Sequence, residues 1–177
     1  MPPRRWFQVG EVFVCAPPKC GGTALYRAVL KTRGVEVDRH EFWTASRLMK
    51  FYTADEMSAT GKRALMAVRD PVSRFVSLWR NKCRDGDAKL PFLSGLSPEQ
   101  LIRLIESQPM GNVHWMRQVE HYRDGVELVP YLELLDRIGI PKVSCNTTQP
   151  KVDDPPMPVD RILSHYRQDA ELASRAR

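Results

Sequence analysis

Apolar positions along this chain fall into short runs of β type, separated by stretches with helical spacing. Val12-Phe13-Val14-Cys15 is an apolar run with β-branched residues, and it breaks at Pro17-Pro18. A run bounded in this way predicts a buried strand. After Gly21-Gly22, the residues Ala24, Leu25, Ala28 and Val29 recur at helical spacing. They predict a helix over 23–32, with Gly34 marking its end. Residues 35–37 begin a second short strand that stops near His40-Glu41. Residues 43–52 have helical character, with Leu48, Met49 and Phe51 as core candidates, and the polar interval 53–62 suits a turn or short helix. Residues 63–68 form the clearest later strand, and Arg69-Asp70-Pro71 stops it. Pro71 suits the first turn of a helix over 72–83, where its missing N–H costs nothing. That helix sets Phe75, Val76 and Trp79 on one side and turns Arg74 and Arg80 toward another.

Ser97-Pro98-Glu99 carries the capping chemistry of a helix that ends near residue 107. Residues 114–122 follow neither period clearly. Residues 126–129 suit a short fourth strand before a helix over 131–138, closed by Gly139. The Pro-, Asp- and Thr-rich stretch 146–158 reads as a surface loop, and an amphipathic helix runs from 159 to the end. Residues 1–10 read as a lead-in, with Trp6 and Phe7 covering a core edge. Strands alternating with helices imply an α/β sandwich of three layers, a small central parallel sheet flanked by helices. At 177 residues with no internal repeat, the expectation is a single domain over 1–177.

Composition narrows the partners. A hydrophobic fraction of 42% and a charged fraction of 27% are those of an ordinary globular chain. The net charge of +6 and isoelectric point near 9.3 favour anionic partners: nucleotides, nucleic acid, acidic glycans or a membrane surface. No basic run interleaved with aromatics supports nucleic acid. No run approaches the roughly 18 apolar residues of a membrane span. Residues 1–7 carry charge but no apolar core, so a signal peptide is not expected. Cys15, Cys20, Cys83 and Cys145 are scattered without CxxC spacing, which argues against a disulfide framework or a zinc site. A reduced, cytoplasmic setting is the expectation.

The chemistry centres on residues 12–25. Strand, glycine loop and helix together aim backbone N–H groups and a helix N-terminus at one anion. Lys19 adds a positive charge there. In the usual nucleoside triphosphate loop, G-x-x-x-x-G-K-[ST], the lysine follows the glycines. Here Lys19 precedes Gly21-Gly22, so the ordinary ATP or GTP reading does not fit. Arg69 stands at a strand's C-terminal end, where open α/β sheets bind ligands. Ser77 lies eight residues on, about two helical turns, and can share a face with the helix start. A guanidinium fork with a hydroxyl suits a terminal phosphate. Arg74 is expected to pair with acidic groups or close the fold. The ligand should therefore carry two separated anionic groups.

Pro18-Lys19-Cys20-Gly21-Gly22-Thr23-Ala24-Leu25 resembles the 5′-phosphosulfate loop of sulfotransferases. Arg69-Asp70-Pro71-Val72-Ser73-Arg74-Phe75-Val76-Ser77 is similar to that family's 3′-phosphate motif, R-D-P-x-x-R-x-x-S. The resemblance is to the carbohydrate and membrane-type sulfotransferases that use 3′-phosphoadenosine 5′-phosphosulfate (PAPS), enzymes of P-loop-type fold. It implies that Pro18, Lys19, Cys20, Gly21, Gly22, Thr23, Ala24, Arg69 and Ser77 bind PAPS and its product, the 3′,5′-bisphosphate PAP. It further implies metal-free, in-line transfer of a sulfuryl group to a hydroxyl or amine on a glycan or small metabolite. Weaker likenesses follow. His114-Trp115-Met116-Arg117-Gln118 resembles H-W-x-P-Q, with Arg117 in place of the proline. Leu135 to Ile140 with Cys145-Asn146-Thr147-Thr148 resembles the family's helix and late asparagine loop, and Tyr166-Arg167-Gln168-Asp169 its terminal Y-x-x-D helix. Fold-supporting roles are expected for these.

Sulfuryl transfer needs a base for the acceptor's proton and groups that stabilise the leaving phosphate. Lys19 and the loop N–H groups suit the second task. His40 and Glu41, at the end of the second strand, are the candidates for the first. Strand alternation sends their side chains to opposite faces, so only one should reach the sulfur. Sulfotransferases resemble this layout with either residue. His40 is preferred, because an unperturbed imidazole titrates at about 6.5. His114, beside a tryptophan, is expected to be structural; His121 and His165 have no assigned role. Trp43, Trp79 and Trp115 suit core or wall positions. Two alternatives stay open: a nucleotide kinase-like P-loop enzyme, against which this sequence's lack of GK[ST] and of a clear Walker B aspartate argues, and a non-catalytic nucleotide-binding module.

Overall fold

The structure, a computed structural model, describes residues 5–36, 48–142 and 154–176. Four strands, β1 (Trp6–Val9), β2 (Val12–Cys15), β3 (Ala64–Val68) and β4 (Glu127–Pro130), form one sheet in that spatial order. β2, β3 and β4 run parallel, with Val14 opposite Leu65 and Met66 opposite Leu128. β1 is antiparallel to β2 and occupies the edge. The described helices are α1 (Gly22–Thr32), α2 (Ala54–Ser58), α3 (Pro71–Trp79), α4 (Pro98–Ser107), α5 (Leu134–Arg137), α6 (Val159–His165) and α7 (Arg167–Ser174).

Side-chain alternation divides the sheet into two buried faces, as the period of a strand requires. Phe7, Val14, Leu65, Ala67 and Val129 pack against Leu25, Val29 and Leu30 of α1 and Leu134 and Leu135 of α5. Trp6, Phe13, Cys15, Met66, Val68 and Leu128 pack on the other face with Ala54 and Met57 of α2 and Leu172 of α7. The three layers are therefore helices, sheet, helices, as expected for a P-loop-type α/β sandwich. A third cluster joins Phe75, Leu78 and Trp79 of α3 to Leu101, Ile102 and Ile105 of α4, to Ile162 of α6 and to Trp115.

Several elements differ from the sequence reading. Residues 6–9 are a strand rather than a lead-in. Trp6 and Phe7 bury on opposite faces, so the polar alternation that marks a half-exposed strand is missing. Val35 and Glu36 are not in a strand, and the remainder of that expected strand, with His40 and Glu41, lies outside the described residues. Residues 48–52 are not helical: Tyr52 bridges to Trp6 in antiparallel fashion. α3 gives way after Trp79 to a π-helical turn, Arg80–Arg84. The helix expected over 131–138 is confined to Leu134–Arg137, because the Tyr131 N–H donates instead to Val68 O at 2.9 Å and extends the β3–β4 pairing. The terminal helix is two helices broken at Tyr166, whose hydroxyl donates to Trp115 O at 2.8 Å. Among the described residues no helix is long and apolar enough to cross a membrane. Cys15, Cys20 and Cys83 are free and buried.

Candidate functional site

The C-terminal ends of β2 and β3 lie side by side, so the segments leaving them, 16–21 and Arg69-Asp70, share one end of the sheet. Open parallel sheets bind ligands at that end. The first segment turns sharply through Lys19 (φ 68°) and Gly21 (φ 79°) before α1 begins at Gly22. Lys19 is the only non-glycine with positive φ among the described residues. That left-handed conformation costs an ordinary side chain free energy and persists only where the surroundings enforce it. Gly22 is under no such demand: a Cβ there would make ordinary van der Waals contact, 3.5 Å from Ala16 O and 3.6 Å from the Tyr26 ring.

The surroundings hold the loop by its carbonyls. Pro17 O accepts from the Cys20 N–H at 2.9 Å, Pro18 O from Arg74 Nε at 3.0 Å, and Lys19 O from Arg69 Nη1 at 3.0 Å. The N–H groups of residues 21–24 have no hydrogen-bond partner among the described residues. The N-cap Gly21 offers no side-chain acceptor, and no acidic residue stands in the first turn of α1. The acceptors of the loop are thus consumed by the fold while its donors stay available. With the partial positive charge of the helix N-terminus, that polarity selects an anion.

The loop rests on a buried polar frame. Gln118, fully buried, accepts from the Arg69 N–H (2.9 Å) and from Cys20 Sγ (3.1 Å) and donates through Nε2 to Arg69 O (2.8 Å). Asp169, also fully buried, accepts from the Gln118 N–H at 2.8 Å, the Val119 N–H at 3.0 Å and Arg74 Nη1 at 3.3 Å. Arg74 also donates to Met116 O. Burial raises the Asp169 carboxyl pKa, opposed by the Arg74 charge and the two N–H groups. Burial also pushes the Cys20 thiol up to about 12, so Cys20 anchors the loop as a neutral thiol rather than serving as a nucleophile. Arg74 therefore closes the fold, paired with an acid, as expected.

Two cations stand at the loop. Lys19 Nζ donates to Asn81 Oδ1 at 2.9 Å, a neutral partner on the π-helical turn. Burial, then the charges of Lys82 and Arg69, lower the Lys19 pKa to about 7. The Arg69 guanidinium lies over the Tyr131 ring at 4.6 Å, and its Nε is buried without a hydrogen-bond partner. Ser77 is buried on α3, and no hydrogen bond joins it to Arg69. Thr23 and Ala24 sit in the first turn of α1. The structure thus brings Pro18, Lys19, Cys20, Gly21, Gly22, Thr23, Ala24 and Arg69 to one sheet end. A doubly anionic ligand fits these groups: an orphaned buried guanidinium nitrogen, a charge-crowded lysine and unpaired loop N–H groups are what it would satisfy.

Sequence reasoning noted Gln118 and Asp169 only as family likenesses and did not single out Asn81 or Tyr131. Gln118 and Asp169 had a signal, the H-W-x-x-Q and Y-x-x-D spacings. Asn81 had none, because its position depends on the π-helical turn.

An open α/β sheet with an anion-binding strand–loop–helix at its C-terminal end defines a P-loop-type class. The model of the sulfotransferase family matches residues 11–149, most of the chain. The chain belongs to the sulfotransferase family and is a sulfuryl-transferring enzyme. Among curated proteins and among solved structures, none matches it significantly.

Proposed function

We propose that the chain is a single sulfotransferase domain that transfers the sulfuryl group of PAPS, in line, to a hydroxyl or amine on a glycan or small metabolite. Residues 18–24 hold the 5′-phosphosulfate, and Arg69 with Ser77 holds the 3′-phosphate. When bound, PAPS supplies an activated sulfuryl group whose bond to the 5′-phosphate oxygen breaks as the acceptor oxygen or nitrogen bonds to sulfur. Lys19 and the loop N–H groups stabilise the charge that collects on the departing phosphate oxygen. A base on the acceptor side takes the acceptor's proton. His40 is assigned that role, with Glu41 as the alternative; both lie outside the described residues.

The observation that carries this reading is the hydrogen bond from Arg69 Nη1 to Lys19 O at 3.0 Å. It makes the two anion-seeking segments one rigid unit, as a ligand with two linked anionic groups requires. Titration calorimetry of the chain with PAP and with ATP tests it. PAP should bind at least tenfold more tightly, and preference for ATP, or binding of neither, overturns the reading. His40→Ala should abolish turnover while PAP affinity stays within about twofold; wild-type turnover in that variant removes His40 as the base.

A further inference from the structure

A cavity of about 360 Å³ opens beside the loop lysine, walled by Lys82, Asp87, Lys89, Leu90, Asn112, Val113 and His114. It abuts the anion site through the π-helical turn, where Asn81 accepts from Lys19 Nζ and the next residue, Lys82, lines the cavity. Two cations line it: the buried one, Lys82, is ion-paired through Nζ with Asp87, and the other, Lys89, is exposed. Leu90 and Val113 supply apolar wall. His114 Nδ1 is buried without a hydrogen-bond partner. The turn that carries His114 is set by a donation from the His114 N–H to Asn112 Oδ1 at 2.9 Å.

We propose that this cavity is the acceptor subsite, that it takes an uncharged, hydroxyl-bearing ring with an apolar face, such as a neutral sugar, and that His114 positions it. The inference rests on the PAPS reading above and deepens it. An anionic acceptor would find the cavity's buried ammonium already matched, would meet the Asp87 carboxylate, and would gain little from the exposed, solvent-screened Lys89. A neutral ring meets apolar wall on one side and polar anchors at Asn112 and His114 on the other, the usual make-up of a small-molecule site. Burial and the nearby charges of Lys82 and Lys19 lower the His114 pKa to about 4, so the imidazole is neutral at physiological pH. A neutral imidazole is a hydrogen-bonding group for a hydroxyl that adds no charge to the wall.

The test uses the full chain with PAPS and two matched probes, 4-nitrophenyl β-D-glucopyranoside and 4-nitrophenyl β-D-glucuronide. The neutral glucoside should show a kcat/KM at least tenfold above that of the glucuronide. Ala88→Trp, at an exposed position on the cavity wall, should raise KM for the glucoside about tenfold with kcat little changed. His114→Phe should do the same, with partial rescue in His114→Gln. PAP affinity, read by calorimetry, should stay within about twofold in all three. Preference for the glucuronide, unchanged KM in both Ala88→Trp and His114→Phe, or turnover of neither probe by a chain that binds PAP each overturns the acceptor assignment. Failure of the wild-type chain to bind PAP overturns the PAPS reading instead.

Discussion

Two of the strand-to-helix junctions that leave one end of the sheet are built in opposite ways. After β3, Asp70 caps α3 by accepting from the Ser73 N–H at 2.8 Å, and Pro71 fills the first position, where no N–H is needed. That junction satisfies its own helix start. After β2, α1 begins from a left-handed glycine with no side-chain cap and no acid in its first turn. The capping boxes of Thr53 with Glu56 at α2 and Ser97 with Gln100 at α4 repeat the closed design. Of the two junctions compared, it is the lysine–glycine one that leaves its donors open while every loop carbonyl from Pro17 to Lys19 is taken. Local stability has been given up at a helix start where an anion can supply the missing partner.

The comparison is broken most severely by removing what holds the open junction in place. Asp169 is fully buried and receives hydrogen bonds from Arg74 Nη1, the Gln118 N–H and the Val119 N–H. Asp169→Ala leaves the Arg74 guanidinium buried without its counter-charge, a change worth about 3–5 kcal/mol. Urea denaturation should show a loss of that size. A loss under about 1 kcal/mol would mean that the frame does not support the loop.

Lys19 comes next. Lys19→Met keeps the volume of the side chain but removes the charge, and kcat should fall by about 10²–10³, the cost of one oxyanion-stabilising donor. The same residue sets a pH dependence. In the free chain its pKa is lowered to about 7, chiefly by burial, and an anion in the loop favours the charged form. PAP affinity should therefore weaken as pH rises through about 7, with proton uptake on binding between that pH and the raised pKa of the complex. The stability effect has the opposite sense. Charged Lys19 is penalised in the fold below that pH, and the penalty is relieved as pH rises toward the ordinary lysine value of 10.5. Calorimetry at pH 6 and pH 8 checks the affinity, and Lys19→Met should flatten the slope.

Both junctions were legible in the sequence because their chemistry is local. Asp70-Pro71 encodes a cap within four residues, and Lys19, Gly21 and Gly22 encode a positive-φ turn before a helix. Strands β2, β3 and β4 were legible as apolar runs with turn signals after them. β1 was not, since Trp6 and Phe7 serve two different faces and give no alternation. The frame beneath the loop was visible only as isolated matches. Gln118 is 98 residues from Cys20 and Asp169 is 95 from Arg74, and no periodicity carries information over such separations. The π-helical turn at Arg80–Arg84 was read as more α-helix, because its extra residue per turn leaves the apolar pattern of α3 unchanged up to Trp79.

The smallest perturbations separate the two designs most cleanly, because each junction predicts a different coupling between stability and binding. At the closed junction, Asp70→Ala removes one cap and should cost about 1 kcal/mol of stability. PAP affinity should change by less than about threefold, since the Arg69 backbone stays clamped by Gln118 at 2.9 and 2.8 Å. At the open junction, Thr23→Asp places a carboxylate in the first turn of α1, where none stands now. A negative charge there should stabilise the free chain by about 0.3–1 kcal/mol through the helix dipole. It would also occupy the electrostatic position of the ligand's own anion, so PAP binding should be lost while thermal stability rises. At the closed junction stability then falls with binding nearly unchanged, and at the open one the two move in opposite directions. If Thr23→Asp lowered both, the open N-terminus would be ordinary unfinished capping rather than a site held ready for an anion.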